Sequence, residues 1–231
     1  MSEKVFRRDR LERVVGMVIA VLVVIGASYL WRLPQAHGPR AVLAVYLLSA
    51  FLLLAGALAI FRRIVPRAYE REHRLTSLSF FLEIVLWGVF FAFPCIYNPF
   101  DWAWSSLHRS EGAPVLLGVG WACVGLGLVV LVISMAWLGW PRSSGQGSKT
   151  LETSGPYRVT RNPQLIGGVL LIIGYVVLWP SWYAVGWMVV FGAMAHMMVL
   201  AEERYLRAIH GEAYEEYCRR VARYWGFPRR C

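Results

Sequence analysis

Charge is scarce in this chain. Only 16% of the 231 residues are Asp, Glu, Lys or Arg, and the acidic ones are the rarer, 14 against 24 basic. A soluble globular domain carries about 25% charged residues, whereas here the few charges are gathered between long apolar runs. That scarcity and segregation indicate a polytopic membrane protein. Cysteine is sparse as well. Cys95, Cys123, Cys218 and Cys231 show no metal-ligand spacing, so they read as small buried hydrophobes or idle thiols and no metal is expected. There is no internal repeat and no low-complexity segment. The ending Phe-Pro-Arg-Arg-Cys is not a prenylation box, which would need three residues after the cysteine. No clear small-residue cleavage site follows the first apolar run, so that run is expected to be a retained helix. The net charge of +10 does not by itself imply nucleic acid, because basic residues flanking apolar segments follow the positive-inside bias.

What is present is an ordered series of apolar runs. Val14 to Trp31, Ala41 to Phe61, Leu78 to Tyr97 and Pro114 to Trp140 are each predicted to cross the membrane, since about 20 apolar residues at about 1.5 Å each span a hydrocarbon core of about 30 Å. Leu165 to Trp179, a turn at Pro180-Ser181, and Trp182 to Leu200 predict a tight helical hairpin with a short first arm. The expectation is an all-α integral membrane protein of about six spans. Residues 1–113 would hold the first three spans, and 114–231 a catalytic region with the remaining three and the tail. Twenty-one of the 24 Lys and Arg lie in the N-terminus, 62–77, 141–164 and 201–231. This asymmetry predicts that both termini face the cytoplasm together with the 141–164 loop. The tail predicts a helix continued through Ala201 to Ile209, a stop at Gly211, and an amphipathic helix over Glu212 to Tyr224 with Tyr214, Tyr217, Val221 and Tyr224 on one face. Glu215–Arg219 and Glu216–Arg220 have the stabilising four-residue spacing.

The polar and conformationally special residues concentrate in Ser154 to Gly168, where two prolines, three glycines and two arginines stand between apolar runs. The backbone must turn there while cations are held near the membrane surface. Gly167 and Gly174, seven apart, suit close helix packing.

Gly155-Pro156-Tyr157-Arg158, then Arg161-Asn162-Pro163 and Gly167, followed about forty residues on by Glu202-Glu203, Leu206, Gly211, Tyr214, Tyr217, Val221 and Arg223, resembles the membrane methyltransferase family of isoprenylcysteine carboxyl methyltransferases and phospholipid N-methyltransferases. The resemblance covers residues 150–228. It implies S-adenosylmethionine at the cytoplasmic membrane surface, with Tyr157, Arg158, Arg161, Asn162, Pro163, Gly167, Glu202 and Glu203 as cofactor-binding residues. The chemistry of these side chains suits that ligand. Arg158 or Arg161 can fork onto its carboxylate, Glu202 and Glu203 can take ribose hydroxyls or the ammonium, and the Tyr157 ring can face the adenine or the sulfonium cation. The implied acceptor is a lipid or lipid-like amphiphile, either an isoprenylcysteine-like carboxylate or a phospholipid amine. Arg204, Arg207 and Arg223 would hold its acidic group. Methyl transfer needs mainly alignment and exclusion of water. An ammonium acceptor must first lose a proton, for which Glu203 or His196, seven apart on one helical face, is the expected base. Glu203, His196 and Arg223 are thus the catalytic candidates.

Each residue also has a simpler reading. The arginines can be topological anchors, the acidic pair a solvated helix start, His196 a packing histidine, and Arg219 and Arg220 a solvated face. Glu83, the sole acidic residue inside a predicted span, would mark function or pair with an arginine. The tryptophans near span ends suit interface anchoring. The sequence departs from the family at Asn162, where many members have His, near Leu165, where many have an aromatic, and at Ala222, where many have Pro. Asn cannot become cationic, so no role for a protonated imidazole at that position carries over. The alternatives are an NADPH-dependent membrane sterol-type reductase, whose related fold has a similar Arg-(His/Asn)-Pro loop, and a non-enzymatic membrane scaffold.

Overall fold

The computed structural model describes residues 38–72, 75–96, 113–139 and 150–226, together with 15, 16, 18, 19, 21–23, 25 and 26 of the first predicted span. The basic N-terminal segment, the ends of that span and the aromatic-rich loop over 98–112 lie outside the described residues. Among those described the chain is helical, and the sole strand-like contact is an isolated parallel bridge between Thr160 and Ala222. Three helical stretches are long and apolar enough to cross a membrane, Arg40–Glu72, Pro114–Leu138 and Trp182–His210, and two apolar helices are shorter. This is the make-up of an integral membrane protein. The chain divides into two compact units, one of Met1–Pro99 with Ser144–Gly147 and one of Phe100–Ser143 with Ser148–Cys231.

In the first unit, α1 (Pro39–Ala59) starts with Pro39 at its first turn, where a missing N–H costs nothing. It runs on through a π-helical turn, Ile60–Ile64, into α2 (Val65–Glu72). Pro66 explains the irregularity. It cannot donate to the ladder and its ring crowds the preceding turn, and a wider turn at Ile60–Ile64 accommodates both. α3 (Ser77–Ile96) packs on α1, and Thr76 begins it by accepting from the Ser79 backbone N–H at 3.2 Å. Between α1, α3 and residues of the first predicted span lies an apolar cavity of about 370 Å³, reaching from Ile19 and Ser49 to Phe93. Glu83 is half-buried on α3 and engaged with a neighbour.

In the second unit, α4 (Ala113–Leu138) and α5 (Pro163–Leu178) pack closely along their length. Glycine permits this. A Cβ on Gly167 would stand 2.7 Å from the Gly127 carbonyl oxygen, and one on Gly174 would stand 2.8 Å from the Gly120 carbonyl oxygen. The seven-residue spacing expected to favour close packing does so, against a matching pair seven apart on α4. α5 is 16 residues long, about 24 Å at helical rise. The chain turns at Pro180, and Ser181 caps α6 (Trp182–His210) by accepting from the Ala184 N–H at 3.0 Å, a contact typically worth about 1 kcal/mol. The 29 residues of α6 reach about 43 Å, so its last turns outrun a hydrocarbon core. Gly211 ends it at φ 52° and ψ −125°, a positive φ that glycine adopts without strain.

α7 (Glu212–Arg220) is shorter than the sequence predicts. Tyr214, Tyr217 and Cys218 are its buried face, packed with Val221, Leu151 and Leu206. Val221 is already extended, at φ −121° and ψ 133°, so Tyr224 does not continue the tyrosine stripe. Glu216 pairs with Arg219 at 2.6 Å and Arg220 at 3.5 Å, all three well exposed. Cys218 is fully buried and disulfide-bonded, its partner side chain lying outside those described, which corrects its reading as an idle thiol. Cys123 is a free thiol.

Candidate functional site

Three stretches of the second unit converge: the loop before α5, the projecting end of α6, and the chain after α7. The loop is fixed first. Gly155 has φ 53°, and a Cβ there would meet the Trp137 ring at 2.3 Å. Only glycine satisfies both conditions. Trp137 Nε1 donates to Ser154 Oγ at 3.1 Å, tying the loop to the end of α4. A single 3-10 turn, Gly155–Arg158, then buries Tyr157 and leaves Arg158 exposed.

Next, the post-α7 chain is bonded onto the loop. The Arg161 N–H donates to the Ala222 carbonyl at 2.9 Å, and the Arg223 carbonyl accepts from both Asn162 Nδ2 at 2.9 Å and Thr160 Oγ1 at 3.2 Å. Tyr217 Oη donates to the Tyr157 carbonyl at 2.7 Å. Asn162 thus serves as a neutral side-chain donor, and its neighbour Pro163 opens α5 at the first helical position.

The electrostatic centre is Glu203, with a side chain only 6% exposed. Its Oε1 accepts from Arg223 Nε at 3.0 Å and its Oε2 from Arg223 Nη2 at 2.6 Å, a forked pair. Arg161, 2% exposed, adds a second guanidinium at 3.4 Å, and its Nη1 also contacts Cys218 Sγ. Two guanidiniums thus converge on one buried carboxylate. Hydrogen bonding to Glu203 pushes the Arg223 guanidinium above its ordinary range. Burial raises the Tyr157, Tyr214 and Tyr217 hydroxyls, with Glu202 adding to the effect on Tyr157 and Glu203 to that on Tyr214. These tyrosines are neutral donors at any physiological pH.

Glu202 is different from its neighbour. It is half-buried and has no hydrogen-bond or ion-pair partner among the described residues. The Tyr157 hydroxyl is buried and likewise without a partner. His196 lies exposed on α6, seven residues before Glu203, and its Nδ1 meets Tyr224 Oη at 2.9 Å.

Of the residues expected from the sequence, Arg161, Asn162, Glu203 and Arg223 are thus joined in one bonded cluster, and His196 meets it through Tyr224. Arg158 and Arg204 are exposed, and Arg207 is half-buried with its Nε unpartnered. Gly167 sits in the α4–α5 packing. Thr160 and Tyr224 were not anticipated as part of the cluster. Thr160 had a local signal, since it stands two residues before Asn162 and accepts from its N–H at 3.2 Å, as threonines at turns do. No sequence signal marks the Tyr224 pairing, which exists because the chain leaves the helix after Arg220.

Residues 115–213 match the family model of the phospholipid methyltransferases. No curated protein and no solved structure matches the chain. The match takes in most of α4, the loop, α5, α6 and the opening of α7, and stops before Arg223. Over this region, a little under half of its length, the chain is similar to the phospholipid methyltransferases, a membrane methyltransferase family.

Proposed function

We propose that the protein transfers a methyl group from S-adenosylmethionine to a membrane-resident amphiphile, and that it does so from six spans with both termini and the site facing the cytoplasm. The observation that carries this reading is the cluster itself. Tyr157, Arg161 and Asn162 are brought to Glu202 and Glu203 from about forty residues away, within the region similar to phospholipid methyltransferases. The residues fit the cofactor. Glu202 offers a carboxylate unpaired among the described residues for its ammonium or ribose hydroxyls, the orphan Tyr157 hydroxyl offers a neutral donor, and the Arg161 and Arg223 guanidiniums suit its carboxylate. When bound, the cofactor supplies a methyl group activated on a sulfonium. The protein's share is alignment and exclusion of water.

Glu203 is assigned to positioning as well as binding. Its oxygens hold Arg161 and Arg223 in place, and the geometry supports this before any role as a base. The family match favours a phospholipid amine over an isoprenylcysteine-like carboxylate. An amine must shed a proton, and His196, in contact with Tyr224, is suited to accept it. Arg204 and Arg207 are then the residues for the acceptor's phosphate. Calorimetry of the purified protein with S-adenosylmethionine, its demethylated product and NADPH tests the reading. Heat is expected with the first two, and heat with NADPH alone would assign the site to a reductase.

A further inference from the structure

The first unit carries a charged surface that methyl transfer does not use. The π-helical turn that continues α1 leaves the apolar stretch at Phe61, and its next residues, Arg62 and Arg63, are exposed. Arg67 and Arg71 follow on α2, and both are exposed. Arg63, Arg67 and Arg71 recur every four residues, a spacing that keeps helical side chains on one side. Val65, Ala68 and Tyr69 form the buried side of the same segment. None of the four arginines has an ion-pair or hydrogen-bond partner among the described residues. Glu70 is the one exposed acidic residue of the segment, while Glu72 is half-buried and already engaged.

Position identifies the partner. The helical stretch Arg40–Glu72 is 33 residues long, about 50 Å, against a hydrocarbon core that needs about 20 residues. Counted from Ala41, the core is used up at Phe61. The arginines therefore emerge at headgroup level, as a continuous extension of a membrane-spanning helix. They are held there by the fold rather than by a flexible loop, because α2 is packed through Val65, Ala68 and Tyr69. A fixed row of unpaired guanidiniums at that depth meets phosphate oxygens first, and guanidinium forks onto phosphate.

We infer that the row of arginines from Arg62 and Arg63 on the π-helical turn to Arg67 and Arg71 on α2 is a binding surface for anionic phospholipid headgroups of the leaflet into which it emerges. Each arginine near such a surface favours it by roughly fivefold. The inference is independent of the methyltransferase reading, since neither the site residues nor the second unit enters it.

The test uses the full chain in bilayer discs, with spin-labelled phosphatidylglycerol and phosphatidylcholine as probes. The unaltered protein is expected to immobilise the anionic lipid preferentially, and the preference should weaken at high salt. The triple variant R63Q/R67Q/R71Q should lose at least about fivefold of it, while R63K/R67K/R71K keeps it. Unchanged selectivity in the glutamine variant overturns the inference. So does binding of soluble polyglutamate without lipid selectivity, which would assign the face to an acidic protein. If the triple variant loses helix content by circular dichroism, the three single glutamine variants give the same reading, and selectivity undiminished from that of the unaltered protein in all three overturns it.

Discussion

Glu202 and Glu203 are adjacent and chemically alike, yet one is buried between two guanidiniums and the other is half-buried. Removing the charge of Glu203 takes a carboxylate away from two guanidiniums, one of them buried. Breaking a buried pair from one side typically costs about 3–5 kcal/mol. Glu203→Gln is therefore expected to lower the thermal midpoint in detergent sharply, with cofactor binding lost as a consequence. Glu202→Gln should leave the midpoint nearly unchanged and weaken S-adenosylmethionine binding measured by calorimetry. The reverse pattern would exchange the two roles. The acidic pair was legible in the sequence, but its division of labour was not, because nothing in a Glu-Glu dipeptide says which side chain turns towards a buried arginine. Asn162 is instructive for the same reason. Its departure from the histidine that many members of the resembling family carry removes any protonated-imidazole role on sequence alone, whereas its Nδ2 holds the Arg223 carbonyl, a task that needs a donor and no charge.

Among the elements, the hairpin was legible because Pro180-Ser181 interrupts an otherwise continuous apolar stretch and Ser181 is a strong helix cap. The tight α4–α5 pairing was legible from Gly167 and Gly174. Gly167→Ala is expected to cost about 1–3 kcal/mol, the usual penalty for overpacking, since its Cβ would press on the Gly127 carbonyl. Gly192→Ala on α6 meets nothing within 4 Å and should be neutral or stabilising by up to about 1 kcal/mol, glycine being a poor helix former. Thermal unfolding of the two variants in the same detergent separates them. Two features escaped a reading by period. The π-turn at Ile60–Ile64 has no pattern beyond Pro66 just after it. The spacing of Tyr214, Tyr217, Val221 and Tyr224 is helical throughout, but the helix ends at Arg220. There, pairing of Ala222 with the loop and of Arg223 with Glu203 outweighs local periodicity, a tertiary override that no local pattern encodes.

For the whole molecule, the segregation of charge announced a membrane protein, and three long apolar helices agree with it. Every described residue named in the cluster belongs to the second unit. Deleting residues 221–231 is thus expected to leave membrane integration and most helix content intact while abolishing S-adenosylmethionine binding, as followed by membrane fractionation, circular dichroism and calorimetry. Retained binding would show that Arg223 and its carbonyl are dispensable to the site.

The fold-back of Ala222 and Arg223 onto the loop also sets an order of events. Chains are made from the N-terminus at about 5–20 residues per second, and early segments fold before late ones. All the apolar helices, with Arg161 and Glu203, are synthesised before Arg223 exists. On the proposed function, a nascent chain therefore enters the bilayer with an unfinished centre, and it becomes competent to bind only after the segment carrying Arg223 is released to close over the loop. The proposed activity would in this way be withheld until translation has passed the membrane-inserted part, and a chain terminated before Arg223 would be inserted but inert.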